Sequence, residues 1–215
     1  FISYGGSSLI TVFLAIGNHE NEEGWNLDDV NSKALLSITA RKRSFPNPIP
    51  NGFYSGTTDL LAAITGDDKH REDYYAWTWG DVLFIVLDPF QYTMVAPYEN
   101  VGGSGEDDDE AVSGDQWNWT LGLQQYNWFK QTLENSTAKY KFVFSHHVVG
   151  AQLVVSNPAA GPPTYVRGGA MAAPDFEWGG QNSSGTPVFE TKRPGWGADP
   201  IHQLMIDNNV SAFFH

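Results

Sequence analysis

Apolar residues fall in short blocks, each closed by a turn-forming or polar residue. Residues 10–16 are continuously apolar after Thr11, as in a strand covered on both faces, and Gly17 then permits a sharp exit. Residues 28–42 predict a helix, with Val30, Leu35 and Ile38 near helical spacing and Asp28 and Asp29 at the positive end of its dipole. Pro46, Pro48 and Pro50 forbid its continuation. Tyr74 to Trp79 alternates, Gly80-Asp81 marks a turn, and Val82 to Leu87 runs apolar into Asp88, so a hairpin is expected. Leu121 to Leu133 reads as a second helix with Tyr126, Phe129 and Leu133 on one stripe, leading to a strand over Tyr140 to Ser145. Ile201 to Asn208 predicts a short helix and Val210 to His215 a strand.

Two stretches break this rhythm. Residues 97–114 combine Gly102, Gly103 and Gly105 with the acidic run Glu106 to Glu110 and predict a solvated excursion; the spacing does not match an EF-hand. Residues 150–200 are rich in proline and glycine without a long periodic element, and a long irregular segment in a compact domain is expected to serve function. Strands alternating with helices imply an α/β layered fold in one domain, 1–215. Open α/β sheets place their sites on the loops after the strands' carboxyl ends. That directs attention to Asn18 and His19 after the first strand, and to His146 and His147 after Tyr140 to Ser145.

Composition narrows the chemistry. The 215 residues carry 25 acidic against 12 basic side chains, a net charge of −13, so no basic footprint for nucleic acid is present. A phosphate-bearing substrate then requires local cations to reverse the field, most economically metal ions. With no cysteine, disulfides, thiolate metal sites and cysteine nucleophiles are excluded. No stretch reaches the roughly 18–20 apolar residues of a membrane span. Eight tryptophans suggest aromatic surface or cleft as well as core. Phe1 is not an initiator, and the apolar pattern at Val210 to His215 stops without a polar tail, so an internal segment of a longer protein is expected.

Asn18, His19 and His146 suit a hard or borderline metal site, because imidazole serves zinc, iron and manganese and an amide oxygen adds a ligand without charge. The same residues also suit a plainer role, with Asn18 capping a turn and the histidines hydrogen-bonded in packing.

Gly17-Asn18-His19-Glu20 resembles the GNHE motif of the calcineurin-like metallophosphoesterases, in their purple-acid-phosphatase-like form. Phe144-Ser145-His146-His147 is similar to that superfamily's later histidine motif, Tyr74 to Asp88 to its central hairpin, and Gln125 to Leu133 to the helix before the histidine strand. The resemblance implies a sandwich of two sheets flanked by helices, incomplete here at both ends, and metal-dependent hydrolysis of phosphate mono- or diesters. Asn18 and His146 would bind one metal of a two-metal centre (manganese, zinc or iron), and His19 would contact phosphate and protonate the leaving group. Glu20 would orient His19 or its loop, and His147 would hydrogen-bond behind the ligands or touch substrate. Arg167 and Arg193, in the irregular region, are the candidates for gripping phosphate oxygens.

The family's D-x-H and GDxxD motifs do not precede Asn18, and Gly66-Asp67-Asp68 comes in the wrong order and reads as a turn. The closing G-H-x-H would begin after His215, which is therefore not assigned as a ligand. The segment alone is expected to be inactive, its parent being an extracellular or periplasmic hydrolase of small phosphate esters. The other class is a non-catalytic binding or structural domain on the same scaffold.

Overall fold

The computed structural model describes residues 12–17, 22, 24, 27, 31–61, 69–94, 115–146, 152–155, 164–167 and 173–215, with backbone alone at 152–155 and 164–167. Its centre is a five-stranded sheet in the order β1-β2-β3-β4-β7, built from β1 (Tyr54–Gly56), β2 (Tyr75–Trp79), β3 (Val82–Leu87), β4 (Tyr140–Ser145) and β7 (Ala212–Phe214). The expected hairpin is present: β2 and β3 pair antiparallel from Tyr75↔Val86 to Trp79↔Val82 around the Gly80-Asp81 turn. β3, β4 and β7 then run parallel. Parallel neighbours need a crossover, and α2 (Gly122–Glu134) provides the one between β3 and β4. β5 (Gln152–Val155) and β6 (Thr164–Arg167) form a separate antiparallel pair within the stretch expected to be irregular.

One face of the large sheet is sealed. Ala76, Leu83, Ile85, Leu87 and Val143 pack against Tyr126, Phe129 and Leu133 of α2 and against Ile201, Leu204 and Met205 of α5 (Ile201–Asp207). The short helices α3 (Phe176–Gly179) and α4 (Phe189–Lys192) add Phe176, Trp178 and Phe189. Each fully buried side chain of this size contributes roughly 1.5–3 kcal/mol, so the α2 stripe anchors the crossover. Lys141 of β4 is also buried, and its ammonium donates to the Leu133 carbonyl at 3.0 Å, where the α2 dipole favours a cation.

The opposite face is aromatic. Tyr54, Trp77, Phe84 and Phe142 occupy one register row, and Trp77 stacks on Phe84 at 4.9 Å. Phe144 stacks on Phe214 at 4.9 Å in the next row. Helix α1 (Lys33–Ser44) starts later than its pattern suggested, at an Ser32 cap whose hydroxyl accepts from the Leu35 amide. It ends just before Pro46, with Phe45 N–H on the Arg41 carbonyl.

The strand expected over residues 10–16 is corrected. Residues 12–17 are not in a strand, and Val12 is exposed while Ile16 is buried. A side chain takes the place of a neighbouring strand: the Asn47 amide accepts from Leu14 N–H at 3.0 Å and donates to Leu14 C=O at 3.1 Å. The Tyr75 hydroxyl donates to the same carbonyl at 3.0 Å. Pairing with one amide satisfies the Leu14 backbone without a ladder, which an apolar run cannot foretell. The 97–114 excursion and the Gly66-Asp67-Asp68 turn lie outside the described residues.

Candidate functional site

Register fixes what emerges at the carboxyl ends of β3 and β4. Leu87 pairs with Ser145, so Asp88 and His146 are the next residues out of adjacent parallel strands. The Gln125 side chain extends the ladder by one step, its carbonyl accepting from Asp88 N–H at 2.9 Å and its amide donating to Asp88 C=O at 2.6 Å. A buried glutamine on the inner stripe of α2 thereby fixes the point where β3 turns away.

Beyond Asp88 the loop curls back, the carboxylate accepting from Phe90 N–H at 2.8 Å and Thr93 donating to the Pro89 carbonyl at 2.7 Å. The Phe90 ring is fully buried between Trp119, at 5.1 Å, and His146, at 6.4 Å. His146 itself is exposed. Gly24 joins the same loop from the other direction, donating to the Phe90 carbonyl at 2.9 Å. Only glycine allows this approach, since a Cβ there would stand 2.4 Å from the Gln91 carbonyl oxygen.

Beneath this loop lies a buried polar hub with no counterpart in the expectations from sequence. Arg41 clasps the Glu22 carboxylate with two prongs, Nε at 2.8 Å and Nη2 at 3.2 Å, and donates from Nη2 to the Arg71 carbonyl at 2.6 Å. Arg71 is fully buried: its guanidinium donates to the Glu22 carbonyl, stands 3.0 Å from Asp73 and 3.9 Å from Asp88. Glu72 faces Arg41 at 3.6 Å and Lys42 at 3.3 Å, and accepts from Asn47 N–H at 2.9 Å.

Four carboxyls thus meet three cations away from water. Burial pushes Asp73 well above the usual carboxylate range, Arg71 opposes it, and the neighbouring Asp88 pushes the same way. Burial likewise raises Asp88 and Glu22 against the pull of their arginines.

The candidates from sequence distribute as follows. Asn18, His19, Glu20 and His147 lie outside the described residues. Arg167 ends β6, its backbone opposite Gln152. Arg193 follows α4 and is bonded within the fold, donating to the Glu177 carboxylate and to the Trp117 and Trp119 carbonyls. Its guanidinium lies over the Trp117 ring at 5.3 Å and the Trp196 ring at 5.4 Å. Trp178 and Trp196 are buried.

Spacing did not reveal Arg41, Arg71, Asp73 or Asp88 as a group. The only signal was the charged triplet Arg71-Glu72-Asp73 directly before an apolar strand, and such triplets are as readily solvated.

The chemistry of this end is that of an exposed imidazole at a strand's carboxyl end, suited in kind to a divalent cation. Among the described residues, no group of three or more His, Asp, Glu or Cys side chains could hold a metal ion. A groove of about 580 Å³ opens between α2 and the β1–β2 edge, by residues 135–138. Its lining, including Trp128, Gln131 and Asn135, has no acidic, basic or histidine side chain, and so none of the groups used in metal or acid–base chemistry. No family model matches the chain, nor does any curated protein or solved structure.

Proposed function

We propose that the protein is a metal-dependent hydrolase of phosphate mono- or diesters on a calcineurin-like two-sheet scaffold, with Asn18 and His146 holding metal and His19 acting on the leaving group. One observation carries this reading. The segment just after the Asn18-His19 pair, represented by Gly24, and the distant His146 both meet Phe90 at the carboxyl end of the sheet. Gly24 lies five residues after His19 in the sequence, which supports reading the two motifs as parts of one site.

Two cations such as manganese, zinc or iron supply an acidified water and offset phosphoryl charge when bound. Asn18 would offer its amide oxygen and His146 its exposed ring, while His147 and Glu20 support from behind. As imidazolium, His19 would hydrogen-bond the phosphate and pass its proton to the departing ester oxygen. Arg167 is the remaining candidate for phosphate oxygens, since the Arg193 donors are engaged in the fold.

The test uses the protein expressed from its natural gene, loaded with manganese, zinc or iron and assayed on p-nitrophenyl phosphate and bis-p-nitrophenyl phosphate. Metal-dependent turnover is expected, with His146→Ala losing bound metal and His19→Ala retaining metal while turnover falls by about 10²-fold or more. Metal retained in His146→Ala, or no metal-dependent turnover on either ester, overturns the reading in favour of a binding domain.

A further inference from the structure

The polar hub holds both stems of the segment that carries Asn18 and His19. On the incoming side, the Leu14 backbone is gripped by Asn47 and Tyr75, and Ile16 and Gly17 are buried. On the outgoing side, the Glu22 carboxylate is clasped by Arg41, its carbonyl by Arg71, and Gly24 is tied to Phe90. The two sides share one circuit: Asn47 donates from its amide to the Glu72 carbonyl at 3.0 Å and from its backbone to the Glu72 carboxylate, and Glu72 faces Arg41. Residues 18–21 are therefore bracketed by two stems fixed to the same buried group.

We infer that Glu22 is a positioning residue, and that the Glu22–Arg41–Glu72–Asn47 circuit acts as a clasp that fixes the chain on both sides of the Asn18-His19 segment. This rests on the function proposed above. Stability alone is a poor reason for such a group, because a buried ion pair is commonly matched or surpassed by apolar residues of the same volume. Directional bonds deliver what apolar contact cannot: two parallel N–H bonds fix the carboxylate in plane and in register. A site whose ligands must be held within about half an ångström needs that kind of support.

Glu22→Gln keeps the volume and removes the charge. In the protein expressed from its natural gene, backbone amides of 18–24 should exchange with deuterium about tenfold faster than in the wild type, with the remaining core unchanged. Turnover of p-nitrophenyl phosphate should show kcat lowered about tenfold with KM within about twofold, since misplacement weakens contacts made in the transition state. Lys141→Met, a buried charge lost at the other end of the sheet, is the control and should leave exchange in 18–24 unmoved. Should Glu22→Gln not fold, Arg41→Lys, which keeps the charge and loses one prong, carries the same comparison.

Unchanged exchange in 18–24, or an increase spread over the whole chain, overturns the clasp. So does a normal kcat beside locally faster exchange. Absence of metal-dependent turnover in the wild type removes the hydrolase reading and with it the positioning role, whatever the exchange data show of the clasp as structure.

Discussion

The Arg193 guanidinium bridges elements that sequence separates widely: the turn after α4, the Glu177 carboxylate in α3, and the carbonyls of Trp117 and Trp119. Glu177 is buried and its pKa is raised by desolvation, with Arg193 the largest opposing influence. Removing the cation leaves a carboxylate that must stay buried unpaired or take up a proton. Arg193→Ala is therefore expected to destabilise the protein by about 3 kcal/mol, read from the denaturant midpoint at neutral pH. An unchanged midpoint would mean the guanidinium is dispensable to the fold. From sequence, an arginine beside proline in a glycine-rich stretch looked free to meet phosphate. Two of its partners come from residues 74 and 76 positions away and the third from 16 away, and local pattern holds no record of contacts at those separations.

Among the elements, β2, β3, α2, β4 and α5 were legible because each buries a periodic stripe long enough to stand out, such as Tyr126, Phe129 and Leu133. β1 was not, being three residues with one buried position. The 12–17 segment misled because apolar content signals burial and says nothing of which group satisfies the backbone. Of the candidate site, His146 was legible as the residue that follows a strand; the hub beneath the loop after β3 was hidden, since Arg41 sits in a basic last turn of α1, an ordinary place for exposed cations. The hub also sets a pH response at the start of β2 and the end of β3. Asp73 has a folded pKa above its unfolded value near 3.8, so the native state binds more protons than the unfolded chain between the two. That contribution is complete below the unfolded pKa and is lost as pH rises through the folded one. Asp73→Asn imitates the protonated form, and its unfolding free energy should decline less than the wild type's as pH rises above about 4. Parallel curves from denaturant titrations would show that Asp73 does not hold the extra proton.

Over the whole molecule the two sheet faces differ in cover. The helical side is closed, whereas Trp77, Phe84, Phe142 and Phe144 are only half-buried and Phe214 is 47% exposed. Contiguous aromatic surface of this kind binds apolar dyes. Native protein should enhance the fluorescence of an anilinonaphthalene probe, and Phe84→Thr with Phe142→Thr should reduce that enhancement while threonine preserves the strands. Equal enhancement by the double variant would place the dye elsewhere. The two ends of the sheet differ as well. Turns at 80–81, 135–139 and 208–211 close the amino ends of β3, β4 and β7, while the connections that leave the carboxyl ends of β3 and β4 for α2 and α5 are the long ones, 88–121 and 146–200. Loop entropy rises only slowly with length, by about 0.6 kcal/mol per doubling, whereas one residue added to a tight turn shifts the register of a strand. Lineages descending from such a chain can therefore lengthen, shuffle or replace the upper segments and explore new specificities, while the lower turns tolerate almost no change in length.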